Sequence, residues 1–142
     1  MGKLTKETEA ILLERFGKDS IIALATAAEG KPYVRSVDAF YEKGAFYVLT
    51  YALSAKMQQI GKNPQVAICG EWFAAEGMGE NLGYFGRAEN APIAENMRQV
   101  FAAWIDNGHN DFNDENTCIL RIELKSGVLF SNGVRYELDF TE

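Results

Sequence analysis

A chain of 142 residues with 20 acidic against 14 basic side chains, a net charge of −6 and a pI near 4.9 has the size of one domain and can bury a core without disulfide staples. That balance excludes a general nucleic-acid or anionic-membrane surface, either of which needs a positive face. Two cysteines, Cys69 and Cys118, neither in a CxxC pair, with no secretory leader and no run of 18 apolar residues, predict a reduced cytoplasmic protein.

Thr5 to Phe16 reads as a helix, capped by Thr5, with Glu7 and Glu9 at its positive end, Leu12, Leu13 and Phe16 as an apolar stripe, and Gly17 as its stop. The apolar run Ser20 to Ala27 and the segment beginning at Pro32 flank the turn "AEGK". In the latter, Tyr33, Arg35, Val37, Ala39 and Tyr41 share one face at period two. A second turn at "EKG" leads into "AFYVLTY", so three antiparallel strands follow in succession. A short helix from Ser54 to about Gly61 ends at Asn63-Pro64, and "QVAICGEWFAA" starts the next strand. Gly77, Gly79 and their polar neighbours predict a loop. "NLGYFGRAEN" predicts a returning strand, bulged at Gly83 or Gly86. Pro92 to Asp106 is an amphipathic helix with Ile93, Met97, Val100, Phe101 and Trp104 near one face. After the polar loop "NGHNDFNDEN" the chain closes with two or three strands and an Asn132-Gly133 turn. About seven strands in adjacent hairpins with covering helices predict a mainly β fold, an antiparallel barrel with helices outside, in a single domain spanning 1–142.

Several chemistries drop out. The only histidine, His109, lies in the polar loop, so there is no His-based metal cage and no Ser-His-Asp triad. Neither GxGxxG opening a helix nor GxxxxGK[ST] is present. Glu71, Glu76 and Glu80 read as solvated charges. The predicted catalytic and metal sets are therefore empty.

What stands out is a stretch without acids. From Lys43 to Gly70 there is no Asp or Glu, where the chain's average would put about four, while Lys43, Lys56 and Lys62 are present. Burial of the strands alone would also thin the charges there. Lys56, however, falls in the first turn of the short helix, against the positive end of its dipole, an arrangement that costs about 0.3–1 kcal/mol unless an anion lies nearby. Arg35 shares a strand face with apolar residues and needs an acceptor, either a carboxylate of the chain or a bound anion. Arg35, Lys56, the hydroxyls of Thr50 and Ser54, and free N–H groups at the helix start form a donor set suited to a dianionic phosphomonoester.

Those same residues carry a resemblance. "IIALATAAEGKPYVRSVDAFYEKGAFYVLTYALSAKMQQIGKNPQVAICGEW", continuing through "NLGYFGRAEN" to the last hairpin, resembles the pyridoxamine 5′-phosphate oxidase-like FMN-binding split-barrel family. The resemblance implies an antiparallel Greek-key split barrel that binds FMN. Its R-x-V element would be Arg35, Ser36 and Val37, the strand-end threonine Thr50 with Tyr51 beside it, the S-x-K element Ser54 and Lys56, and KNP-x-V the segment Lys62 to Val66. It further implies a homodimer with FMN at the subunit interface, with Asn81 and Phe130 at positions that approach the flavin. The family's true oxidases carry a lysine five positions beyond the strand arginine, where this chain has Phe40. The last hairpin keeps Arg135 without the R-x-H pattern, and Arg98 is the one cation of the long helix. The resemblance with these departures implies a flavin-dependent oxidoreductase of another small molecule, compatible with hydride donation by a nicotinamide nucleotide, rather than a pyridoxine-phosphate oxidase. The alternatives are a non-catalytic flavin carrier or sensor, or a split barrel binding haem or a deazaflavin.

Overall fold

A computed structural model describes residues 2–141. Eight strands and three α-helices follow in the order β1 (Gly2–Lys3), α1 (Lys6–Phe16), β2 (Ser20–Ala28), β3 (Lys31–Glu42), β4 (Ala45–Tyr51), α2 (Ala55–Lys62), β5 (Gln65–Gly70), β6 (Phe73–Tyr84), α3 (Ala91–Val100), β7 (Thr117–Ser131) and β8 (Val134–Asp139). The strands form one sheet in the order β1-β8-β7-β4-β3-β2-β5-β6, and β6 also pairs with β7. That second pairing closes a six-stranded antiparallel barrel. Strands β2, β3 and β4 are hairpin-connected and β5 returns beside β2, which is a Greek-key arrangement.

The alternating pattern of β3 works as the sequence predicts. Val37, Ala39 and Tyr41 face the barrel interior with Phe46 and Val48 of β4 and Leu120, Ile122 and Leu124 of β7. Helix α1 begins with a capping box in which Thr5 Oγ1 accepts from Thr8 N and Thr8 Oγ1 accepts from Thr5 N. It buries Leu12 and Phe16 on the barrel while Leu13, expected in the same stripe, is exposed. A second core lies outside the barrel, where Met97, Phe101 and Ile105 pack on Phe40, Phe85 and Ile119.

Several local expectations fail. "QVAICGEWFAA" is a hairpin and not one strand: Glu71 and Trp72 turn between β5 and β6, with Trp72 at φ 53°. Gly77 and Gly79 are not in a loop but inside β6. A side chain on Gly77 would collide with the Glu123 carbonyl of β7, so that position requires glycine, and one on Gly79 would come within 3.0 Å of Ile60 of α2, which would have to shift. The returning strand ends at Tyr84, after a register shift between Asn81 and Tyr84 that Gly83 accommodates at φ 90°. A 3₁₀ turn, Ala88–Asn90, then leads into α3, which is regular only to Val100.

Candidate functional site

The edge of the barrel where β4 runs into α2 gathers most of the sequence-predicted donors. Ser54 sits at the N-cap of α2 with extended backbone, yet its hydroxyl caps no helical N–H. The first intrahelical bond runs from Gln58 N to Ser54 O at 3.0 Å, so the N–H groups of Ala55, Lys56 and Met57 have no partner within the helix. Lys56 turns back over this end. Its Nζ donates to Thr50 Oγ1 at 2.7 Å and to Ser54 Oγ at 3.5 Å.

Arg35 is half-buried on β3. Its Nη1 donates to the Leu24 carbonyl at 3.2 Å and to Thr26 Oγ1 at 2.9 Å, and its Nη2 donates to Gln59 Oε1 at 2.7 Å. Thr26, itself buried, donates to the same Gln59 oxygen at 2.6 Å. Every acceptor is neutral. Among the described residues no carboxylate lies within ion-pair distance of Arg35 or Lys56, in contrast to Arg87, Arg98, Arg121 and Arg135, each of which is paired. Burial pushes the Arg35 guanidinium below its ordinary value, and Lys56 is lowered first by burial and then by the charge of Arg35. Cys118, paired in register with Thr50, is pushed up to about 11 by burial, so at neutral pH its thiol offers no compensating charge. Two cations thus stand close enough to repel each other, without a counterion among the described residues.

The other predicted residues divide. Val37 is a core residue of the barrel, and Ser36 points to the opposite, exposed face of β3. Tyr51 is exposed at the end of β4, one position after Thr50, with its backbone in register with Thr117. Asn81 is exposed and its Oδ1 accepts from Gly83 N at 2.8 Å, holding the irregular end of β6. Phe130 lies near the far end of β7, exposed, with its ring 6.3 Å from that of Trp72, and is not brought to the cluster within one chain. Two residues absent from the sequence prediction belong to the site, Thr26 and Gln59. Gln59 falls one turn after Lys56 on the same helix face, and that i, i+3 spacing is the signal that could have found it.

Phe40 is 2% exposed and packs under α3 in the second core. Arg98 is stacked 5.1 Å from the Phe85 ring and 4.8 Å from the Phe112 ring, and pairs with Asp106 at 3.3 Å. His109 is exposed in the loop after α3, and no cluster of three potential metal-ligating side chains occurs among the described residues. No helix among them is long and apolar enough to cross a membrane.

The family model described as pyridoxamine 5′-phosphate oxidase matches residues 4–127. No match is found among curated proteins. Solved structures show the same fold at low identity. General stress protein 26 from Bacillus anthracis is 17% identical over 92% of this chain and 98% of its own, with a TM-score of 0.69. An FAD-binding protein from Mesorhizobium loti is 18% identical over 87% and 92%, with a TM-score of 0.66. A haem-binding protein from Mycobacterium smegmatis is 15% identical over 99% of this chain and 60% of its own, with a TM-score of 0.68.

Proposed function

Because this chain belongs to the pyridoxamine 5′-phosphate oxidase family, we propose that it is a cytoplasmic, single-domain, homodimeric flavoprotein that binds FMN and uses it in the oxidation or reduction of a small molecule other than pyridoxine phosphate. The observation that carries this reading is the pair Arg35 and Lys56, two half-buried cations with only neutral acceptors among the described residues, next to N–H groups without a helical partner at a helix start. A dianionic phosphate fits that set. It would take charge-assisted hydrogen bonds from both cations, supplemented by the backbone of Ala55 and Lys56 and by the Thr50 and Ser54 hydroxyls. Gln59 and Thr26 hold the guanidinium in place, which keeps the donors organised before the ligand arrives.

When bound, the flavin ring supplies the electron transfer, and the chain's part is anchoring and orientation. No side chain of the cluster is assigned a proton-transfer role: Arg35 and Lys56 serve as anion donors, and burial keeps Cys118 as the thiol. A nicotinamide nucleotide is the proposed electron donor. Absorbance of the purified protein in the flavin bands, with the released chromophore identified as FMN by mass, tests the cofactor. Protein that is colourless and does not take up added FMN overturns it. A Soret band in place of flavin bands would assign haem, as in the mycobacterial neighbour.

A carrier or sensor without turnover is the second reading, and a specific observation favours it. The residues at substrate-gripping positions are otherwise engaged: Phe40 is in the core, and Arg98 is held between two aromatic rings and Asp106. Anaerobic bleaching of the bound flavin by NADH or NADPH, followed by reoxidation with small-molecule acceptors, separates an enzyme from a carrier.

A further inference from the structure

The chain contains Asn-Gly twice, at Asn107-Gly108 and at Asn132-Gly133. A glycine leaves the peptide nitrogen after an asparagine unshielded, so that nitrogen can close on the asparagine's own carboxamide carbon. Both asparagines and both glycines are exposed, and a Cβ on either glycine would meet nothing within 4 Å. Neither glycine nitrogen has a backbone partner among the described residues. What separates the two sites is the backbone that frames them.

Asn132-Gly133 is a two-residue hairpin turn with φ of 51° and 77°, held by the pairing of Ser131 with Val134 and of Phe130 with Arg135. Ring closure at Asn132 needs its ψ to rotate out of the turn, which the ladder resists. Asn107-Gly108 belongs to no ladder. It follows the turns after α3, where Asn107 N donates to the Trp104 carbonyl at 3.0 Å, and there Asn107 Oδ1 accepts from His109 N at 3.0 Å. The second bond closes a ring that contains both reacting atoms, the Asn107 carboxamide carbon and the Gly108 nitrogen, and keeps the side chain folded back along the main chain. It also aims an N–H at the oxygen on which negative charge gathers during attack, as a preorganised oxyanion donor does. Asn81 makes the same kind of bond, accepting from Gly83 N at 2.8 Å, but Leu82 follows it and a side chain there shields the nitrogen.

We propose that Asn107 is a self-modification site, a deamidation centre built by the Asn107-Gly108-His109 turn. The Gly108 nitrogen forms a bond to Asn107 Cγ, its proton leaves with the carboxamide NH2 as ammonia, and the cyclic imide then takes up one water at either carbonyl. The products are aspartate and isoaspartate at position 107, with no change of oxidation state. Each adds a negative charge beside Asp106, the partner of Arg98 at 3.3 Å, and the isoaspartyl form lengthens the main chain by a methylene just after the Trp104 bond. Arg98 lies against the Phe85 and Phe112 rings, so the new charge is written where the second core meets solvent. The site shares no residue with the Arg35 and Lys56 cluster, and its chemistry needs no cofactor.

Peptide mapping by mass spectrometry tests it on the full chain, incubated folded and, in parallel, unfolded in guanidinium chloride, with aspartate and isoaspartate products separated at each asparagine. In the folded chain Asn107 is expected to convert about tenfold faster than Asn132, the factor that roughly 1.4 kcal/mol of turn opening supplies. In the unfolded chain, where only the shared dipeptide acts, the two rates are expected to converge, with Asn107 no faster than in the folded chain. Asn107→Gln is expected to remove the signal from its own peptide and leave the Asn132 rate unchanged. Equal or reversed rates of Asn107 and Asn132 in the folded chain overturn the proposal. So does an Asn107 rate that rises on unfolding, a ratio that survives unfolding, or conversion of Asn81 as fast as Asn107.

Discussion

Replacing Lys56 by glutamate isolates the phosphate pocket from the fold that carries it. The Lys56 ammonium lies 2.7 Å from Thr50 Oγ1 and over the start of α2, with no carboxylate in ion-pair distance among the described residues. Removing a charge-assisted bond to phosphate loses about 1.5–3 kcal/mol. Placing a carboxylate about 4 Å from a phosphate charge adds repulsion of up to ~4 kcal/mol at an effective dielectric near 20. The new side chain can swing toward Arg35 and relieve part of this, so a net loss of about 4 kcal/mol is expected, roughly a thousandfold in Kd. Folding should be spared, because a carboxylate in the first helical turn suits the dipole and the repulsion from Arg35 disappears. Fluorescence titration with FMN, with circular dichroism and thermal melting of the unliganded chain, reads both quantities. A variant that folds and binds FMN within threefold of the parent would refute the placement of the phosphate.

Gln59→Glu should place a carboxylate on Arg35, leaving the melting temperature level or higher while FMN affinity falls by more than tenfold; equal affinity in titration would show that Arg35 does not face the ligand. The lowered pKa of Lys56 gives a pH signature of definite sign. Between its folded value and 10.5 the unfolded chain binds more protons, so unliganded stability rises with pH across that window while FMN affinity falls, and denaturant melts of Lys56→Met should lose that rise. Gly77→Ala should destabilise more than Gly79→Ala, since the first new methyl meets the Glu123 backbone and the second meets the mobile end of Ile60. About 1–3 kcal/mol is expected for Gly79→Ala, and urea unfolding that reverses the order would contradict the packing.

The sequence was readable where residues answer to their own neighbours. The β3 pattern placed Arg35, Thr5 and Gly17 bounded α1, and Asn132-Gly133 turned the last hairpin, all through local geometry. It misled where distant segments decide. Gly77 and Gly79 have the composition of a loop, but the β7 backbone leaves no room for a side chain at Gly77 and Ile60 of α2 crowds Gly79, so the glycines mark packing instead of a turn. The β5–β6 hairpin was hidden because Glu71-Trp72 carries none of the usual turn residues, its strain being held by Arg15 and Phe130 from elsewhere in the chain. At the site, Arg35 and Lys56 could be found by their misfit with apolar neighbours and helix dipole. Thr26 and Gln59 fit their own surroundings, and only the closed barrel reveals that both serve Arg35.

Arg35 and Lys56 are 21 positions apart in sequence and come together only when the barrel has closed and α2 is seated on it. An anion that bridges them therefore binds the folded chain and not the unfolded one. Mass action then makes the melting point of this protein a gauge of ligand supply, with about 2.7 kcal/mol gained at a hundredfold excess over Kd. Buffers of phosphate or sulfate should shift the melt upward in proportion to their fit, so a thermal screen of anions can rank the pocket's preferences before any substrate is known.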